Sequence, residues 1–193
     1  AAWTLNERPG YLRLKTNRIV DNLYAAPNTL TQRMEGPRCS GIAALDISHM
    51  KDGDVAGFGA FNGHSGLLSV VADGNKKYLT MNTNIVDLRN SDKAILGVDK
   101  SEKKRVELKQ NLIYLRIDGD FRLGQDIATF YYSLDNKAWK KIGTDFKMKF
   151  DYMKLFMGTK FALFNYATKE LGGYVDICLL YTSDAADDLI GVD

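Results

Sequence analysis

The chain has 193 residues, of which 45% are hydrophobic, 11% aromatic and 26% charged, and its formal net charge is +2. These values describe one globular domain of ordinary composition, long enough to bury a core. So small a net charge argues against nucleic acid or an anionic membrane as a partner. No apolar run has the length of a membrane span and no segment has the pattern of a signal peptide, so the cellular location of the parent protein is left open.

In chain order, residues 3–5 read as a strand fragment, and residues 6–10 (Asn-Glu-Arg-Pro-Gly) as a turn. Residues 10–16 alternate, with Leu12 and Leu14 on one face and Tyr11, Arg13 and Lys15 on the other. Residues 17–27 read as a loop with some apolar content. Three short strands are expected next, at 28–34, 40–47 and 55–61, each bounded by Gly, Pro, Asn or Asp. The third is rich in small residues, Ala56, Gly57, Gly59 and Ala60, around Phe58. Glycines weaken a strand interior, and this many suggest close approach by another chain or a ligand.

Two further strands, 67–72 and 76–83, flank an Asp-Gly-Asn turn and read as a hairpin. Residues 84–92 are expected to be an exposed connection. The mixed-charge stretch 99–104 is expected to be a solvated turn between short runs at 95–98 and 105–108. Later runs fall at 112–117, 128–134, 139–142, 146–150, 161–165 and 172–177. No window sustains a 3.6-residue period. Many short strands with regular turn signals predict an all-β fold, a two-sheet jelly-roll sandwich of the concanavalin or laminin-G type.

The end of the chain differs. Residues 178–188, with Gly191-Val192-Asp193 after them, resemble the in-frame translation of a transposase-type DNA sequencing adaptor. That resemblance implies a gene assembled from metagenomic or fragmentary reads. It places a single β-sandwich domain at 1–177 and a non-native tail at 178–193. Val175, Ile177 and Leu179 nevertheless keep period-2 spacing across the junction, so the tail can pair as a substitute strand.

Catalytic signatures are scarce. Most of the acidic residues, Asp52, Asp54, Asp73, Asp118 and Asp135 among them, sit in turn contexts. Two histidines, His49 and His64, are too few for a metal cluster. No Gly-x-Ser-x-Gly, His-Glu-x-x-His or phosphate-loop pattern occurs. Two cysteines do not make a disulfide framework, and Cys39 reads as a small buried hydrophobe.

Several stretches resemble one family. WTLNERPGYLRL at 3–14 looks like the WSLTERPGYLRL stretch of bacterial glycoside hydrolase family 43 β-xylosidases. NTLTQR at 28–33, MKDGDVAG at 50–57, FYYSLDNKAW at 130–139 and FALFNYATKELGGYVD at 161–176 are similar to the same C-terminal domain, a concanavalin-like sandwich also classed as a xylan-binding module. The family carries a further Trp-rich segment before the first motif and closes with an aromatic strand. The resemblance therefore implies a domain without its native first and last strands. It also implies that the catalytic carboxylates lie in a five-bladed propeller N-terminal to this domain, a partner in cis. The expected role is a non-catalytic accessory module for xylan or xylo-oligosaccharides. The alternative is a structural domain that docks on the propeller and shapes its pocket. A lyase on the same scaffold ranks last, because no Tyr/Arg/His constellation is evident. No cofactor is required. Sandwiches of this kind often hold one structural calcium ion, for which Asp176 and Glu7 are the candidate ligands.

Sugar binding calls for flat apolar faces and planar polar side chains. The expected site lies on the face floored by Gly57, Gly59 and Ala60, with Phe61 and Tyr166 as walls. Asn62, His64, Asn165 and Arg33 are expected to bond hydroxyls. Tyr114 and Arg116, which share a face opposite Ile113 and Leu115, offer a second aromatic and guanidinium surface.

Overall fold

The computed structural model describes residues 2–150 and 158–184, the last six of these by backbone alone. Among the described residues fourteen strands follow one another: β1 (Trp3–Thr4), β2 (Leu12–Lys15), β3 (Thr29–Arg33), β4 (Arg38–Asp46), β5 (Asp54–Phe61), β6 (His64–Asp73), β7 (Lys76–Leu88), β8 (Ile95–Leu108), β9 (Leu112–Asp120), β10 (Ile127–Ser133), β11 (Lys140–Lys141), β12 (Phe146–Lys147), β13 (Lys160–Ala167) and β14 (Tyr174–Asp184). One turn of 3-10 helix, Leu23–Ala25, precedes β3. The strands form two antiparallel sheets. The first has the order β1-β2-β14-β4-β9-β10-β11, with β12 also on β10, and the second β3-β13-β5-β6-β7-β8.

Alternation places the core between the sheets. Leu14, Ala43, Leu45, Ile113, Leu115, Ile117 and Phe130 point inward from the first sheet, and Phe58, Leu68, Val70, Leu79, Met81 and Phe161 from the second. Phe58 and Phe161 stack with ring centroids 5.4 Å apart. Full burial of a side chain such as Phe58 contributes about 2–3 kcal/mol. Two glycines set how closely the sheets approach. A Cβ on Gly41 would lie 2.8 Å from Phe58 Cζ, and one on Gly66 would lie 2.6 Å from Phe130 Cζ.

The sandwich agrees with the alternation read in the sequence, but several boundaries move. Residues 84–88 continue β7 instead of forming a connection. The charged stretch 99–104 lies inside β8 and is not a turn. Charge is tolerated there because β8 is an edge strand, with one side and most of its side chains in solvent. A bulge absorbs the irregular stretch: Met81 pairs with Lys104 and Asn82 with Glu102, which leaves Lys103 over. β14 runs past Ile177 and pairs with β4 from Asp176↔Asp46 to Asp184↔Cys39, so residues 178–184 do fill a strand position. Residues 185–193 of the expected tail lie outside the described residues, as do 151–157.

Candidate functional site

The outer face of the second sheet is where the chain departs from a plain sandwich. Val55, Gly57 and Gly59 of β5, Phe164 and Tyr166 of β13, and Leu67 of β6 point away from the core by strand alternation. Apolar side chains on an outer face need a cover, and residues 20–26 supply it. Leu23, Leu67, Phe164 and Tyr166 form a second buried cluster, with Val20, Ala26, Val55 and Phe61 packed around it. The Val20 amide donates to Ala167 O at 2.9 Å. Asn22 caps the 3-10 turn, its Oδ1 accepting from the Ala25 amide at 3.0 Å. The Tyr24 hydroxyl donates to Asn62 O at 2.7 Å and lies 2.9 Å from Ser65 Oγ. At the far side, Lys100 Nζ donates to Asp21 O. The segment is thus a strap laid across the sheet from β13 to β8. Burial pushes the Tyr24 and Tyr166 hydroxyls up to about 12, so both are neutral phenols.

Where the strap meets the start of β8, a cleft of about 500 Å³ opens. Asp21, Asn22 and Ala25 line one side, and Ile95, Leu96, Gly97, Val98 and Lys100 the other. A smaller recess of about 140 Å³ lies by β3, between Leu30, Phe58, Phe161 and Leu163. Thr31 and Gln32 complete its lining, which is mostly apolar.

The six residues expected to bind sugar do not converge on one groove. Gly57 and Gly59 leave no open floor: a Cβ on Gly57 would lie 1.9 Å from Leu68 O, and one on Gly59 2.3 Å from Leu67 Cδ2. The glycines serve close packing within the sheet and beneath Phe164. Tyr166 is 7% exposed and packs in the strap cluster, and Phe61 lies 5.4 Å from the Tyr24 ring. Asn62 and Asn165 are each 1% exposed. Asn62 closes its own turn, Oδ1 accepting from the Gly63 amide at 2.8 Å. Asn165 points inward and donates to Leu14 O at 2.8 Å. His64 packs edge-on against Phe146, 4.7 Å away. Arg33 is exposed at the end of edge strand β3, opposite Lys160. Sequence spacing identified strand ends rich in amide and aromatic groups. It missed that the loop at 17–27 folds back over them. The apolar residues Val20, Leu23 and Tyr24 in that loop were the signal.

Tyr114, Arg116 and Tyr131 share the outer face of the first sheet, with Arg116 and Tyr131 directly paired. Arg116 is engaged by Asp118, at 2.8 and 3.1 Å.

A second feature that the sequence did not resolve is an ion-pair network on the outside of the first sheet. Arg13 and Asp176 are direct cross-strand partners on β2 and β14. Arg13 Nε and Nη2 donate to Asp176 at 2.7 and 2.9 Å. Arg8 Nη1 bridges Asp46 at 2.6 Å and Asp176 at 3.3 Å. Glu7 accepts from Arg13 and Lys15 at 2.8 and 2.5 Å. Arg8 lies over Tyr11 and Arg13 over Tyr174, at 3.9 and 4.0 Å from the ring centroids. Burial alone would raise the Asp176 carboxyl, but the Arg13 and Arg8 hydrogen bonds outweigh it and hold it below the usual carboxylate range. Glu7 and Asp176, the candidate calcium ligands, are therefore committed to three cationic side chains, and this donor set does not fit a metal ion. Among the described residues no group of three or more His, Cys, Asp or Glu is placed to hold one. Cys39 is buried and its thiol is pushed up to about 11 by burial, as suits a packing residue.

Comparison with known proteins places this architecture. The family model of the β-xylosidase C-terminal concanavalin A-like domain matches residues 1–179. A β-xylosidase of Formosa agariphila is 29% identical over 91% of this chain and 30% of its own length. A bifunctional GH43-CE protein of Bacteroides eggerthii superposes with a TM-score of 0.84 at 41% identity, over 95% of this chain and 22% of that one. An engineered GH43 hydrolase, described as both an endo-xylanase and an exo-arabinofuranosidase, gives a TM-score of 0.83 at 31% identity, over 94% and 36%. An alginate lyase of Pseudomonas aeruginosa, at 11% identity and a TM-score of 0.52, shares the fold alone. The chain spans about a third or less of the GH43 relatives it matches, and in them the domain is attached to the catalytic one. With two antiparallel sheets and a family match across nearly its whole described length, the chain belongs to the C-terminal concanavalin A-like domain family of the GH43 β-xylosidases.

Proposed function

We propose that this domain is a non-catalytic accessory module that holds xylan or xylo-oligosaccharide beside a GH43 β-xylosidase or arabinofuranosidase catalytic domain. The observation that supports this reading is a partly polar cleft on an otherwise strapped sheet face, in a domain whose relatives carry the names of xylan-acting enzymes. Concave sites with a few convergent polar groups are the usual places for small ligands. Each hydroxyl contact exchanges water for protein and contributes only about 0.5–1.5 kcal/mol net. Affinity is therefore expected in the range of roughly micromolar to millimolar. The test is affinity electrophoresis of the 193-residue chain in gels with and without soluble xylan. Retardation by xylan is expected; unchanged mobility across the xylan series refutes the binding role.

A docking role is favoured by a different observation. Ile85 and Phe150 are 38% and 61% exposed beside the turn between β5 and β6, where Ile85 pairs with His64 and the Lys149 carbonyl accepts from Asn62. Large apolar side chains grouped at one end suit burial against another domain. If xylan leaves mobility unchanged, a shift on adding a separately produced GH43 propeller supports docking instead.

A further inference from the structure

We infer that the cleft between the strap and β8 is the saccharide subsite of this module, taking a short neutral xylo-oligosaccharide; this rests on the xylan-binding reading above. Its volume of about 500 Å³ falls within the range that small-ligand sites occupy. One wall is aliphatic: Ile95 and Leu96 are 39% and 55% exposed, with half-buried Val98 beside them. Such a wall covers the C–H face of a pyranose. The opposite wall is polar and fixed. Asn22 Nδ2 donates to Asp21 Oδ1 at 2.6 Å while Asn22 Oδ1 caps the 3-10 turn, so the Asp21 carboxylate is held at the rim without an induced rearrangement. Lys100 joins the two walls by its bond to Asp21 O. A carboxylate accepts from sugar hydroxyls and an ammonium donates to them. Opposite charges in one cleft leave no net attraction for an anionic or cationic ligand, which points to a neutral polyol.

The experiment is calorimetric titration of the 193-residue chain with xylohexaose, for the parent and for Leu96→Ala, Asp21→Ala and Lys100→Ala. Asp21→Ala is expected to weaken binding at least ten-fold, and Leu96→Ala, the truncation of an exposed side chain of the aliphatic wall, at least three-fold, each with the melting temperature unchanged. Lys100→Ala, the truncation of an exposed side chain, is expected to weaken it at least three-fold. Binding by the parent that all three variants retain in full overturns the cleft and leaves the module reading standing. A parent that binds neither xylohexaose nor soluble xylan overturns both.

Discussion

Asp54 is the least comfortable side chain among the described residues. It is 0% exposed; Oδ2 accepts from the Lys51 amide at 2.9 Å, and Oδ1 has no hydrogen-bond partner. Asn165 Oδ1 is likewise buried and unpartnered. Asp54 pairs with Ala167, and Asn165 with Ala56, so the two side chains are diagonal neighbours on the inward face of β5 and β13. Burial, with a smaller contribution from Glu170, pushes the Asp54 carboxyl up to about 6, against the downward pull of the Lys51 amide and ammonium. The folded state therefore prefers the neutral acid, whose O–H can donate where two acceptors now stand empty. The unfolded carboxyl titrates near 3.8. Stability from this group is full below that pH and is lost as pH rises toward about 6. Asp54→Asn supplies a permanent donor and keeps the acceptor for Lys51. It is expected to stabilise the chain by about 2–3 kcal/mol at pH 7.5 and by little at pH 4. Urea midpoints at the two pH values check this; an equal change at both would remove the titration from the account. Nothing in the sequence marked Asp54 apart from Asp52, because only the fold decides which of two turn aspartates points inward.

At the scale of elements, β2, β14 and β4 are tied together outside the core by Arg8, Arg13, Asp46 and Asp176. Asp176 is 3% exposed, so removing a partner strands a buried charge. Arg13→Met is expected to cost about 3–5 kcal/mol. Arg8→Met should cost less, because Arg13 retains its bidentate grip on Asp176. Thermal unfolding of both variants, with Asp176→Leu as the compensating change in an Arg13→Met background, tests the order. Equal losses in the two single variants would contradict it. The alternation of Leu12 and Leu14 with Arg13 and Lys15 showed which face of β2 turned out, but not which carboxylate waited across the sheet. That pairing joins positions 13 and 176, a separation at which one sequence carries no local signal. Strand existence was legible because alternation and turn residues are local. The continuity of β8 was not, because its charged half is stabilised by its place at an edge, which is a property of the sheet.

For the molecule as a whole, the carboxylates decide what chemistry is open to it. Glycoside hydrolysis pairs an ionised carboxylate with an acid of raised pKa across a sugar. Asp46 and Asp176 both reach Arg8 Nη1, so they are near neighbours, yet both are held below the usual carboxylate range. At Asp176 the cause is arginine; at Asp46 the Ser48 bonds and Arg8 overcome its burial. Neither can serve as the proton donor. Among the described residues the raised carboxyl is Asp54, and it is sealed from solvent. The purified chain is expected to release no nitrophenol from β-xyloside or α-arabinofuranoside substrates. Turnover that survives repurification and disappears on changing Asp46 or Asp176 would overturn this. The sandwich architecture was readable from periodicity, and the family from five motifs in order. The site was not readable, because a loop that folds over a sheet face changes which residues meet solvent without changing any strand.

The position of β14 bears on how the chain is made. It is synthesised after every other described strand, yet it sits third in its sheet, between β2 and β4. On a ribosome adding about 5–20 residues per second, β4 emerges on the order of ten seconds before the strand that will cover its free edge. During that interval the nine residues from Arg38 to Asp46 offer a bare, largely apolar ladder to any passing strand. In the second sheet β5, β6, β7 and β8 are joined by successive hairpins and can pair as they appear, while the other edge of β5 waits for β13. Nascent chains stalled before residue 174 should therefore be the ones that chaperones hold.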